Sequence, residues 1–166
     1  MEFMEVLGRR CSIRSYKPDP VEEEKILAIA EAGRLAPTAK NDQNWYCIAV
    51  KDDTLRHDLL EACANQPMVG QAPVILVVCG RRNRQMLCGQ STNSLDCAIA
   101  MTYIILKATE LGLGSCWLGR FHADKVKEVL GIPEEDTVVA VTPLGYPAEP
   151  YTKRPRKELG EFLNIR

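Results

Sequence analysis

Two arginines flank a serine in the segment Arg10-Cys11-Ser12-Ile13-Arg14, and two more stand at Arg154 and Arg156 near the other end of the chain. Alternate residues of an extended segment share a side, so Arg10, Ser12 and Arg14 would present two guanidinium groups and a hydroxyl together. That is the chemistry of an anion site, because arginine offers paired N–H donors to phosphate or carboxylate oxygens. The same residues also suit a solvated basic segment. Basic residues gather at both ends, with Arg9, Arg10, Arg14 and Lys17 early and Lys153, Arg154, Arg156 and Lys157 late, yet the formal net charge is −1. A small anion is expected rather than nucleic acid, whose phosphate backbone calls for a broad excess of Lys and Arg.

Other chemistries lack their residues. His57 and His122 are the only histidines, and neither sits in a metal-ligand spacing. There is no G-x-S-x-G elbow, no GxxxxGK loop and no G-x-G-x-x-G. Seven cysteines, Cys11, Cys47, Cys63, Cys79, Cys88, Cys97 and Cys116, form no C-x-x-C pair, and an odd count leaves one over in any disulfide framework. Reduced, mostly buried thiols follow. An enzyme built from these residues would rely on a bound cofactor for its reactive group.

The elements that position these residues read as one domain over 1–166. Apolar residues make up 46% and charged residues 26%, an ordinary globular balance. No run approaches the ~18 apolar residues of a membrane span, and the start lacks the layout of a signal peptide, so a cytoplasmic location is expected. Helices are expected over residues 2–9, 20–35, 55–64, 91–111 and 123–130, with Asp19 capping the second. Strands are expected over 45–50, 74–79, 115–118 and 138–144. Helix 91–111 leaves no wide polar face and so must be covered on several sides, by its own chain or a partner. Segment 36–44, APTAKNDQN, is a polar loop, and the proline-rich tail from Gly145 is an irregular arm. Trp117 reads as a core residue.

The order of segments resembles the nitroreductase family across nearly the whole chain. RRCSIRSYKPDPV resembles that family's opening Arg-x-Ser-x-Arg phosphate motif, and APTAKNDQNW its Ala-Pro-Ser-x-x-Asn-x-Gln-Pro-Trp loop. ANQPMVGQAPVILVVC, ELGLGSCWLGRF and LGYPAEPYTKRPRK are similar to its Asn-Gln and Ala-Pro-strand segment, its Gly-Leu-Gly-x-x-Trp turn and its Leu-Gly-Tyr-Pro-x-Glu ending. The resemblance implies an α+β fold with a mixed central sheet flanked by helices. It also implies a homodimer exchanging terminal segments, with flavin mononucleotide (FMN) in the interface. By motif position, Arg10, Cys11, Ser12 and Arg14 would contact the flavin, and Arg154 and Arg156 would add phosphate contacts. Pro37, Thr38, Ala39 and Asn41 would reach in from the partner, Asn65 would meet the pyrimidine edge, Leu118 would border the flavin, and Gly119 and Arg120 would bring backbone N–H groups to the ring.

The activity implied is electron transfer from NAD(P)H to a small-molecule oxidant, a nitroaromatic or quinone, by a ping-pong route. The alternatives are a dehalogenase and a flavin-binding or sensing protein without turnover. Departures from the family pattern are Asn44 in place of a proline, Cys11 after Arg10, Met68 where some relatives carry a cation, and Arg120 in place of a frequent glycine.

Overall fold

The structure is a computed structural model that describes residues 1–166. Four strands, β1 (Trp45–Val50), β2 (Val74–Gly80), β3 (Gly114–Ser115) and β4 (Thr137–Gly145), form one sheet in the order β1-β2-β4-β3. All three ladders are antiparallel, and the parallel component of the expected mixed sheet is a single bridge between Ser12 and Ser115. The helices are α1 (Phe3–Arg9), α2 (Glu23–Arg34), α3 (Asp53–Ala62), α4 (Pro67–Gln71), α5 (Thr92–Glu110), α6 (Ala123–Leu130) and α7 (Leu159–Phe162).

The unbroken apolar run of β2 is buried throughout because both of its faces are covered. Leu76 and Val78 meet Ile26 and Ile29 of α2 and Met101 and Ile104 of α5. Ile75, Val77 and Cys79 meet Leu59 of α3 and Val126 of α6 on the opposite face. No helix is long and apolar enough to cross a membrane.

Several boundaries move for local reasons. Helix α2 begins at Glu23, with Glu22 at its N-cap and no side-chain cap, so Asp19 does not cap it. Glu22 instead accepts from the Tyr146 hydroxyl at 2.7 Å. Asp52 caps α3 by accepting from Leu55 N–H at 2.9 Å, and Ser91 caps α5 by accepting from Ser94 N–H at 3.2 Å. The expected strand 115–118 stops after Ser115. There the Thr142 hydroxyl accepts from Cys116 N–H at 3.0 Å and donates to Cys116 C=O at 2.9 Å, taking the place of ladder bonds. Leu118 rejoins through one bridge to Val141. Trp117 is 38% exposed and is not a core residue, because Cys116 and Leu118 on either side of it take the inward positions.

Candidate functional site

The extended segment after α1 alternates as its spacing requires, with Cys11 and Ile13 buried, Arg10 and Ser12 half-buried and Arg14 exposed. It lies on the sheet edge through Ile13 N–H, which donates to Ser115 C=O at 2.9 Å. That approach depends on Gly114, where an added Cβ would lie 2.8 Å from the Ile13 side chain.

The chain's two ends then zip together. Lys17 N–H donates to Tyr146 C=O at 2.8 Å, and Ala148 N–H donates to Ser15 C=O at 2.9 Å. Arg14 N–H donates to the Glu149 carboxylate at 2.5 Å. The Arg9 guanidinium stacks on Tyr151 at 4.5 Å, and the Tyr151 hydroxyl donates to Leu113 C=O at 3.1 Å. These contacts create a pocket of about 180 Å³ lined by Cys11, Ser12, Arg14, Glu149, Thr152 and Arg154. Residues from opposite chain ends thus meet as their charges suggested. Arg10 sits just outside the lining, close enough that it and Arg14 oppose the upward push that burial exerts on the Cys116 thiol. Arg156 points elsewhere and donates to the carbonyls of Arg154 and Pro155.

Two further groups border this corner. Helix α4 carries Met68 against the cluster of Cys11, Ile13 and Tyr16. Asn65, just before it, is exposed, in the left-handed region at φ +52°, with an amide that bonds to nothing else in the chain. Gln66 Nε2 donates to Arg120 C=O at 2.8 Å, holding the turn Leu118-Gly119-Arg120 beside Asn65. Leu118 is buried, and its N–H donates to Val141 C=O. Gly119 and Arg120 are exposed, with N–H groups that no acceptor in the chain takes. Phe121 packs against the core. Free donors at Asn65, Gly119 and Arg120 therefore stand near the basic pocket.

Pro37, Thr38, Ala39 and Asn41 are not part of this group. Their loop precedes β1, whose first residue Trp45 pairs with Gly80, and Gly80 in turn pairs with Thr137 at the start of β4. Ser12 reaches the sheet through Ser115, paired with Leu144 near the other end of β4. The two positions are about 24 Å apart along that strand. The loop is tightly held, with Ala39 N–H donating to the Asp96 carboxylate at 3.0 Å and Gln43 N–H to the Thr38 hydroxyl at 3.1 Å. Lys40, Asn41 and Gln43 are left-handed, and with Ala64 and Asn65 they make five of the six non-glycine residues at positive φ. Such backbone gathers at functional positions.

A larger cavity, about 490 Å³, lies elsewhere, as a mostly apolar groove between α2, α5 and β1 lined by Leu27, Ala30, Trp45 and Ile104 among others. Its one cation, Arg34, is engaged with Glu31 at 2.6 Å, so it is no match for a phosphate. The features that residue spacing did not reveal are α4, whose short turn carries no long periodicity, the single turn α7 within the tail expected as an irregular arm, and a hairpin at 84–92.

Fold and pocket define an α+β protein with a basic corner and open hydrogen-bond donors beside it. The chain belongs to the Nitroreductase family, whose model matches residues 7–67 and 62–146. It is 31% identical over 173 residues to the FMN reductase [NAD(P)H] of Bacillus subtilis (strain 168), covering 93% of this chain and 70% of that one. A nitroreductase family protein from Clostridium novyi NT superposes with a TM-score of 0.85 at 35% identity, covering 90% of this chain and 87% of the other. The NADPH:FMN oxidoreductase of Vibrio harveyi complexed with NAD+ superposes with a TM-score of 0.88 at 25% identity, covering 98% and 76%.

Proposed function

We propose that this protein is an NAD(P)H-dependent oxidoreductase that binds FMN and passes electrons to nitroaromatic, quinone or similar small acceptors by a ping-pong route. The observation that carries this reading is the pocket where Ser12 and Arg14 meet Arg154 across the length of the chain. A phosphate monoester needs several charge-assisted donors, and Arg14, Ser12, Thr152 and Arg154 supply them, with Arg10 adjacent. Family membership and the flavin-reductase relative support the cofactor and donor.

When bound, FMN supplies hydride acceptance and onward electron transfer. The chain's own residues bind and orient. In this reading Asn65 would donate and accept at the pyrimidine edge of bound FMN, and the free N–H groups of Gly119 and Arg120 would serve its ring nitrogens. Met68 adds no cation there, which leaves Arg10 and Arg14 to balance negative charge. No side chain near the pocket is required as a nucleophile.

The reading includes a homodimer with exchanged terminal segments. A pocket of about 180 Å³ is smaller than the roughly 300 Å³ at which enclosing ligand sites begin. Loop 36–44 stands too far along the sheet to complete it within one chain, so a second copy would supply Pro37, Thr38, Ala39 and Asn41. Apolar side chains left open on the helices favour that assembly. Leu95 and Tyr103 of α5 are 39% and 40% exposed, and Phe3, Met4 and Leu7 of neighbouring α1 are also exposed. Seven free thiols suit a reducing compartment, the cytoplasm.

Steady-state kinetics of the FMN-loaded protein with NAD(P)H and a quinone test the reading. Parallel double-reciprocal plots are expected. Protein that takes up no FMN, or FMN-loaded protein that does not oxidise NAD(P)H, would refute it. Cys11→Ser and Cys116→Ser should retain turnover.

A further inference from the structure

Between β2 and α5 the chain makes a tight hairpin. Gln85 bridges Ser91, Met86 N–H donates to Gln90 C=O at 2.9 Å, and Gly89 N–H donates to Met86 C=O at 2.9 Å. Gly89 takes φ +83°, the left-handed position that closes a three-residue hairpin loop. The hairpin is fixed at its base, where Arg84 N–H donates to the Thr92 hydroxyl at 3.0 Å and the Ser91 hydroxyl donates to Asn83 Oδ1 at 2.7 Å. It is also fixed to loop 36–44. Arg81 N–H donates to Asn44 C=O at 2.7 Å, and Arg84 forms an ion pair with Asp42. These contacts join the two loops into one bonded body.

Within that body the cations Lys40, Arg81, Arg82 and Arg84 face one acid, Asp42. Arg84 is spent on Asp42. Arg81 stacks on Tyr46 at 4.3 Å and lies 3.7 Å from the buried Asp136 carboxylate. Lys40 and Arg82 have no acid partner, and both are exposed and left-handed, at φ +56° and +49°. Lys40 and Arg82 are thus exposed cations without an acid partner on two loops bonded to each other, in a chain of net charge −1.

We propose that Lys40 and Arg82 bind the phosphate groups of the reduced nicotinamide dinucleotide as it enters the flavin pocket of the partner subunit. The proposal rests on the reading that loop 36–44 reaches that pocket. Arg84 and Arg81 hold the hairpin against the loop, and the two free cations provide the contact.

The test uses the FMN-loaded dimer, with loading checked by the visible absorbance of bound flavin. Flavin reduction is followed by rapid mixing against NADPH and NADH. Binding of adenosine 2′,5′-bisphosphate and of ADP is measured by calorimetry. Arg82→Ala and Lys40→Ala together should weaken NADPH binding about tenfold, with Arg82→Lys retaining most of the affinity. Loss confined to NADPH and the 2′,5′-bisphosphate places the contact on the 2′-phosphate, and equal loss with NADH and ADP places it on the pyrophosphate. Either result supports the proposal. Donor and probe affinities within about twofold of wild type in the loaded double variant overturn it while leaving the flavin reading intact. Protein that cannot be loaded with FMN overturns that reading and this proposal with it.

Discussion

Arg14 N–H donates to the Glu149 carboxylate across 135 positions of sequence, and that bond closes the basic pocket with an acid inside it. Glu149 thus has two opposing effects, tethering the tail that carries Arg154 and placing negative charge where a phosphate would bind. Glu149→Gln keeps an acceptor for Arg14 N–H and removes the charge. It should tighten FMN binding relative to riboflavin, as read by fluorescence titration. Glu149→Ala removes the tether as well and should cost about 1 kcal/mol in urea unfolding. Weaker FMN binding in Glu149→Gln would show that the carboxylate's charge serves binding.

Gly114→Ala should loosen the anion segment from beneath. The new methyl would meet the Cβ and both γ carbons of Ile13, which is buried and held by its own backbone bond to Ser115. The clash cannot be relieved at the end of a flexible side chain, so about 1–3 kcal/mol of stability should be lost. FMN affinity should fall with it. Unchanged denaturation midpoint and affinity would mean that Ile13 shifts freely.

Ile99→Glu or Tyr103→Glu should dissociate the homodimer proposed above. Both lie on the stripe of α5 left open in one chain, and a buried unpaired carboxylate at an apolar interface is strongly unfavourable. Sedimentation should show monomer, and flavin should be released in step, because assembly and binding are linked. A monomeric variant that keeps full FMN affinity would exclude a composite site.

Alkaline pH should destabilise the fold through its buried thiols. Burial pushes Cys63 and Cys79 up to about 11 and Cys97 up to about 12, from an ordinary value of 9.0. Between 9 and those values the native state keeps protons that the unfolded chain releases, so native stability is complete below pH 9 and declines above it. Urea midpoints should fall steadily from pH 9 to pH 11, and Cys63→Ala should make that decline shallower. A midpoint independent of pH over this range would contradict the assignment.

How much of this was legible in the sequence differs from element to element. β2 was readable because seven consecutive buried positions need no alternation, and α5 because its apolar positions encircle it. The alternation of Arg10, Ser12 and Arg14 with Cys11 and Ile13 was readable from a period of two. The early end of β3 was not, since it depends on a Thr142 hydroxyl 26 residues away from Cys116. Nor was the exposure of Trp117, whose neighbours take the inward positions.

Residue types and local spacing therefore determined the longer helices, the strands β1, β2 and β4 and the cations available for an anion, because propensity and periodicity act over a few residues. The tertiary structure alone decided which of those cations share a pocket. Arg154 joins Arg14 and Arg156 turns away, although only Pro155 separates the two in the chain. Loop 36–44 stands at the opposite end of β4 from Ser12 for the same reason, since strand pairing is set by contacts between distant segments that no local pattern encodes.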